Sequence, residues 1–193
     1  MQNITIKGET ILKTIYFFFF FYILVVLYSK FVLHFEFWEI GNENLQWEYF
    51  INVVPFHTIQ EYTTFTPPAQ LIDAWGWEKA YDFWHDDAIE NAIKEIGGNI
   101  VSFIPLGIFL GIFQTIFEKF SWKKVFFFAI IGIIFLEVSQ LLFVFIFYKL
   151  NLPGIQFEGR FDVDDILLNS TGFLIGYLLY TLLYPSVQRF FKK

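Results

Sequence analysis

The sequence contains no cysteine, so it offers neither a disulfide framework nor a thiolate that binds metal or attacks a substrate. Charged residues are scarce as well, at 17% of the 193 residues, and they form no basic stripe of the kind that binds nucleic acid. Apolar residues fill the chain instead: 56% are hydrophobic and 29 are Phe. A soluble core of this size does not bury so much apolar surface. The composition therefore indicates a membrane protein whose surroundings are lipid, with no nucleic-acid partner.

Four apolar runs are long enough to cross a bilayer, because a hydrocarbon core of ~30 Å needs about 20 residues of helix. The runs cover residues 15–35, 100–117, 125–148 and 166–184. They predict an all-α fold, an integral membrane bundle of four transmembrane helices that forms a single domain over residues 1–193. Lys30 lies near the end of the first run, where we expect its long side chain to snorkel towards the surface.

Basic residues cluster at three places, and positive charge in short loops marks the cytoplasmic side of a membrane protein. The clusters are Lys7 and Lys13, then Lys119, Lys123 and Lys124, then Arg189, Lys192 and Lys193. Four spans place all three on one side, which predicts a multi-pass protein of the cell membrane with both termini cytoplasmic. Residues 36–98 then form an outer segment, and residues 31–97 hold 12 Asp or Glu against two Lys.

The outer segment is predicted to contain an extracellular amphipathic helix. From Trp77 onwards, apolar residues recur at helical spacing: Trp77, Tyr81, Trp84, Ala88, Ala92 and Ile96. Such a helix suits the outer membrane–water boundary, and the alternative is that it packs on the other outer loops. Gly97 and Gly98 follow the helix and are predicted to turn the chain into the second span.

Polar side chains enter three of the predicted spans or stand at their outer ends: Asn99, Glu137, Gln140, Asp164, Asp165 and Asn169. Charge in hydrocarbon costs a few kcal/mol, so an ionisable residue there is a functional hypothesis by default. Glu137 lies ~18 Å beyond the inner end of its helix at 1.5 Å per residue, and adjacent spans run in opposite directions. These groups therefore converge in the outer leaflet. Glu137 is then protonated, paired with a cation for which Arg160 is the candidate, or bound to a metal ion.

Small residues recur at helical spacing in two spans. Gly107 and Gly111 lie in the second span, and Gly172 and Gly176 lie in the fourth. A Gly-x-x-x-Gly pattern lets two helices approach closely. We predict that these glycines pack the helices that carry the polar groups.

Four strings of the sequence are informative in combination: NVVPFHTIQEY (52–62), NIVSFIPLGIFLG (99–111), FLEVSQLL (135–142) and GRFDVDDILLNSTGFLIG (159–176). Together they resemble the VanZ-like membrane protein family over roughly residues 50–185. The resemblance implies a bacterial cell-envelope protein, and the founding member of the family is associated with resistance to the glycopeptide teicoplanin. The family's motif positions, carried onto this chain, are Asn99, Pro105, Gly107, Glu137, Gln140, Arg160, Asp164, Asp165, Asn169 and Gly172.

The first functional hypothesis is an outward-facing polar site that binds an amphiphile: a lipid-linked wall precursor, a phospholipid head group or a lipoglycopeptide. Its predicted ligand-binding residues are Asn99, Gln140, Arg160, Asp164 and Asn169. Glu137, Asp164 and Asp165 are predicted as ligands of a metal ion, which their oxygens suit best if it is Mg²⁺ or Ca²⁺.

Two alternatives remain open at this point. A membrane-embedded enzyme acting on a lipid or lipid-linked precursor would use Glu137 and Asp165 as its catalytic residues, with Glu137 as the general base. A small lipid transporter is the other alternative, although four spans without an internal repeat are unlike the usual transporter design.

The predicted topology is testable because the chain has no native cysteine. A cysteine at Asn44 or Asn151 should react with an impermeant thiol reagent on intact cells. A cysteine at Ser121 or Ser186 should react only after the cells are permeabilised. Labelling of a cysteine at position 121 on intact cells would show that the protein has the opposite orientation, and it would contradict an outward-facing site.

Overall fold

The computed structural model describes residues 6–32, 35–36, 51–64, 66–67, 69–117, 121–150, 156–157 and 161–191. Four helices are long and apolar enough to cross a membrane: Glu9–Phe31, Ile93–Ile116, Trp122–Phe147 and Val163–Pro185. The predicted all-α bundle with four spans is therefore confirmed. The first two spans begin six and seven residues earlier than the apolar runs alone indicated.

The long helices are α1 (Ile6–Leu27), α5 (Gly98–Ile116), α6 (Trp122–Leu150) and α7 (Val163–Phe191). Three shorter helices connect the first span to the second: α2 (His57–Thr64), α3 (Ala69–Trp75) and α4 (Trp77–Ala92). A π-helical turn, Tyr28–Val32, follows α1, and another, Ile93–Gly97, joins α4 to α5.

Two short strand pairs tie the connection after α1 to the connection before α7. Strand β1 (Phe35–Glu36) pairs antiparallel with β3 (Gln156–Phe157). Strand β2 (Ile51–Asn52) pairs in parallel with β4 (Phe161–Asp162), which runs directly into α7. These pairs place α2, α3 and α4 at the end of the bundle where α1 finishes and α5 and α7 begin. We call this the α2–α4 end.

The glycine pair before the second span does not turn the chain, contrary to the prediction. Gly97 (φ −66°, ψ −42°) and Gly98 (φ −60°, ψ −47°) both have right-handed helical angles, so α4 continues through the π-helical turn into α5. The amphipathic pattern is realised in part. Trp84 is buried and α4 packs on α2 and α3, whereas Trp77 and Tyr81 are exposed.

Helices α5 and α7 approach through their glycines, as predicted. A β-carbon built at Gly172 would overlap the carbonyl oxygen of Ile100, and one at Gly176 would overlap that of Ile104. From the other side, a β-carbon at Gly107 would overlap backbone atoms of α7. Because backbone meets backbone here, no side chain is able to move aside for an added methyl group.

Helix α1 is held more loosely than the other three. Tyr22 donates a hydrogen bond from its hydroxyl to the carbonyl of Ser102 at 2.9 Å, and Phe19 packs edge-on against Phe109 and Phe113. The opposite face of α1 exposes large apolar side chains such as Phe17. In a membrane that face meets lipid.

Alanine substitutions test the helix contact. Gly176→Ala should lower the free energy of unfolding by ~1–3 kcal/mol, the usual cost of overpacking, because the Ile104 carbonyl is part of a helix backbone. Gly132→Ala in α6 is the matched control, since a β-carbon there meets nothing within 4 Å. Thermal unfolding in detergent, followed by tryptophan fluorescence, measures both. Equal melting temperatures for the two variants would contradict close packing of α5 on α7.

Candidate functional site

Six buried or half-buried polar side chains meet at the α2–α4 end of the bundle, and they come from all four spans. We call them the Lys30 network: Lys30, Asn99, Glu137, Gln140, Asp165 and Asn169. The set contains one ammonium group, two carboxyl groups and three carboxamides. Five of the six were predicted to converge from the sequence, and Lys30 was not.

Lys30 occupies the centre of the network. Its Nζ donates to Asn99 Oδ1 at 2.7 Å and to Asp165 Oδ2 at 3.2 Å, and it lies 3.6 Å from Glu137 Oε1. Only 8% of the side chain is exposed. The prediction that Lys30 snorkels to the surface is therefore wrong: the ammonium points into the bundle because two carboxylates compensate for the water that it loses.

A second group of contacts joins α1, α6 and α7. Asn169 Nδ2 donates to Glu137 Oε1 at 3.1 Å, and Gln140 Nε2 donates to the main-chain carbonyl of Lys30 at 3.1 Å. The last carbonyls of a helix have no partner within it, so the Gln140 amide satisfies one of them at the end of the first span. Glu137 and Gln140 are three residues apart and share a helix face.

Asn99 links α5 to α7 as well as to α1. Its Nδ2 donates to Asp165 Oδ1 at 2.6 Å while its Oδ1 accepts from Lys30. Its role therefore goes beyond capping a helix end. The π-helical turns lie on either side of this contact, one holding Lys30 and the other ending two residues before Asn99. Such turns are rare and occur often at functional sites.

Asp164 serves a different purpose from its neighbour. Its carboxylate accepts hydrogen bonds from the main-chain N–H groups of Phe56, Thr58 at 2.8 Å and Ile59 at 3.2 Å. Thr58 and Ile59 belong to the first turn of α2 and Phe56 directly precedes it. An anion at this end of a helix is stabilised by the unpaired N–H groups and the helix dipole. Asp164 thus clasps α2 to the start of α7, which differs from its predicted role as a ligand-binding residue.

Asp162 completes this clasp. Its carboxylate accepts from the Thr58 hydroxyl at 2.6 Å and from Asn52 Nδ2 at 3.0 Å. Sequence reasoning did not assign a function to Asp162, Thr58 or Asn52. The available signal was the resemblance itself, since the strings 52–62 and 159–176 both belong to the family pattern and meet here.

The predicted metal triad of Glu137, Asp164 and Asp165 is not assembled. Within the described part of the chain, no group of three or more His, Cys, Asp or Glu side chains is placed to hold a metal ion. Asp164 is engaged with α2, and the Lys30 ammonium stands between the other two carboxylates. The Lys30 ammonium supplies positive charge beside two of these three carboxyl groups.

Arg160, the predicted partner of Glu137, lies outside the described residues. The partner that the structure does provide had a signal in the sequence. Lys30 is the single Asp, Glu, Lys or Arg between residues 14 and 35. The rule that drew attention to Glu137, a lone charge inside an apolar run, applies equally to Lys30.

The fold and the network define a four-span helical membrane protein with a charged cluster between its helices. A family model described as VanZ/LLP1 matches residues 19–184, which include every residue of the network. The chain belongs to this family, as the resemblance implied. No curated protein and no solved structure matches it.

A double-mutant cycle tests the central ion pair. Lys30→Met should destabilise the protein by ~3–5 kcal/mol, because it removes the cation beside the buried Glu137 carboxylate and the half-buried Asp165 carboxylate. Lys30→Met combined with Glu137→Gln should be less destabilised than the sum of the single variants. Denaturant unfolding in detergent gives the coupling energy.

The exposed pair Glu9–Lys13, at 2.8 Å, provides the control cycle. Its coupling should be below ~1 kcal/mol, as is usual for surface pairs. Additive effects of Lys30→Met and Glu137→Gln would show that these two groups do not interact.

Proposed function

We propose that this VanZ-family protein binds the polar head group of an amphiphile of the cell envelope at the Lys30 network. The observation that most supports the proposal is that side chains from all four spans bring together a buried ammonium, a buried carboxylate and a half-buried carboxylate in a region otherwise lined by apolar residues. Lys, Asp and Glu are rarely buried in proteins, and an ionisable group within a membrane span is costly and is a functional hypothesis by default.

Helix packing does not require these charges. The α5–α7 contact relies on glycines, and a cluster that includes Phe103, Ile133 and Phe173 fills the space between the helices. Replacing a buried ion pair by apolar residues of similar volume is often neutral or stabilising. The presence of these charges between the helices is therefore better explained by recognition of a polar ligand than by stability of the fold.

The position of the network suits an amphiphile. Lys30 is one residue from the end of its span, and Asp165 is two residues from the start of its own. These positions correspond to the head-group level of a bilayer, while the exposed apolar faces of α1 and α6 are available to acyl chains. With both termini cytoplasmic, as the basic clusters indicate, the site lies in the outer leaflet.

The candidate ligands are a lipid-linked wall precursor, a phospholipid and a lipoglycopeptide. Capture of such a molecule would account for a contribution to resistance against teicoplanin-type glycopeptides. Catalysis ranks second, because the six residues of the network include no histidine and no Ser, Thr or Cys paired with a base. Turnover of a labelled lipid would favour the enzyme, with Glu137 and Asp165 in the catalytic roles, and transbilayer movement in liposomes would favour a transporter.

Mass spectrometry of co-purifying lipids tests the proposal. We expect wild-type protein to retain one lipid class well above its share of the membrane, and Glu137→Gln to lose that enrichment. Ser139→Ala is the matched control, since Ser139 lies two residues away and bonds only to the carbonyl of Phe135 in its own helix among the contacts described. A lipid profile identical for wild type and Glu137→Gln would contradict binding at the network.

A further inference from the structure

Three buried oxygen atoms of the network have no hydrogen-bond partner among the residues that the structure describes. They are Glu137 Oε2, Gln140 Oε1 and Asn169 Oδ1. The three residues are 0%, 3% and 0% exposed, respectively. An unsatisfied buried polar group costs about 1–3 kcal/mol of stability. Three unsatisfied oxygens within one network therefore need an explanation.

With Glu137 ionised beside the Lys30 ammonium, each of the three atoms is a hydrogen-bond acceptor. Asn169 uses its NH₂ group to donate to a carboxylate, and Gln140 uses its NH₂ group to donate to a main-chain carbonyl. A carboxylate and a main-chain carbonyl accept hydrogen bonds but donate none, so each amide turns its NH₂ group, and not its oxygen, towards that partner. The oxygens left over therefore await donors, and Glu137 Oε2 does so as part of a charged group.

These acceptors belong to one connected set of side chains. Asn169 is bonded directly to Glu137, and Gln140 lies one helical turn from Glu137 on the same face of α6. The bonds of Lys30 reach instead to Glu137 Oε1, Asp165 and Asn99. The oxygens that Lys30 contacts thus have partners, whereas three other buried oxygens have none. We call these three the acceptor side: Glu137 Oε2, Gln140 Oε1 and Asn169 Oδ1.

The charge of the network points in the same direction. Lys30 is shared between Glu137 and Asp165, so one ammonium faces two carboxylates. An anion placed on the acceptor side would meet three oxygen atoms, one of them on a carboxylate, and no donor. The acceptor side therefore favours a cation that carries hydrogen-bond donors.

We propose that the acceptor side receives a primary ammonium group carried by the head group of the amphiphile. This inference rests on the proposed function and specifies its ligand. An alkylammonium group has three N–H donors and no acceptor, which matches three acceptor oxygens. Within the described residues no group of three or more His, Cys, Asp or Glu is placed to hold a metal ion, and one carboxylate with two amide oxygens falls short of the six to eight oxygens that Ca²⁺ takes. A quaternary ammonium has no N–H donor and cannot make these bonds.

A series of lipids that differ only in the methylation of one nitrogen tests the proposal. The probes are dioleoyl phosphatidylethanolamine, its N-methyl and N,N-dimethyl derivatives and dioleoyl phosphatidylcholine, which share one phosphate and the same acyl chains. Their affinities for the detergent-solubilised protein are measured by native mass spectrometry. We expect affinity to fall along the series by about tenfold or more overall, because hydrogen bonds to a charged group are lost.

Glu137→Gln should flatten the series, since it removes the charge that attracts the ammonium. Thr171→Val is the control variant and should preserve the series, because Thr171 is exposed and bonds to the Leu167 carbonyl of its own helix. A flat series for the wild-type protein overturns the proposal without reliance on any variant.

The same experiment separates this inference from the proposed function. Dioleoyl phosphatidylglycerol, which lacks nitrogen, is added as a fifth probe. One outcome separates the two proposals: phosphatidylglycerol binds wild type but not Glu137→Gln, and the methylation series is flat. That outcome would overturn the ammonium proposal and leave the proposed amphiphile site in place. Binding of all five probes that is equal in wild type and Glu137→Gln would overturn both.

Discussion

The ammonium of Lys30, held between the carboxylates of Glu137 and Asp165, is the interaction on which the rest of the site depends. Each carboxylate lies on a different helix, Glu137 on α6 and Asp165 on α7, and Lys30 contacts both. Helix α1 otherwise meets the bundle through a few aromatic contacts and the Tyr22–Ser102 hydrogen bond. Lys30 therefore does two things at once: it neutralises buried charge, and it fixes the end of α1 against the other spans.

The network in turn depends on how closely α5 and α7 pack. The glycines of these helices allow their backbones to touch, and this contact brings Asn99 within 2.6 Å of Asp165. Beside it, the Asp164 carboxylate holds the first turn of α2 against the start of α7. Close packing, the clasp and the ion pair thus form a continuous arrangement at one end of the bundle, with an acceptor side left for a ligand.

Much of this arrangement was predictable from the sequence. The predictions that were wrong have identifiable physical reasons. Length and hydropathy predicted four spans, and alternating helix direction brought Asn99, Glu137 and Asn169 together. Lys30 was misassigned because a lysine near a span end has two outcomes, snorkelling or burial, that depend on partners distant in sequence. Asp164 and Asp165 are adjacent in the sequence, and the sequence alone does not show that Asp164 contacts α2 while Asp165 contacts Asn99. Gly97 and Gly98 suggested a turn, but glycine also accepts helical angles when the flanking helices continue.

The contact between Lys30 and Glu137 is central to this site, and solid-state NMR in lipid bilayers measures it most directly. Protein labelled with ¹⁵N at the lysine Nζ and ¹³C at the glutamate carboxyl carbon should show a dipolar contact consistent with the 3.6 Å separation of Lys30 Nζ and Glu137 Oε1. The signal should disappear in Lys30→Met and in Glu137→Gln and persist in Lys13→Met. If the spectrum of the wild-type protein lacks any contact that Lys30→Met removes, Lys30 does not neutralise the network and the central claim is wrong.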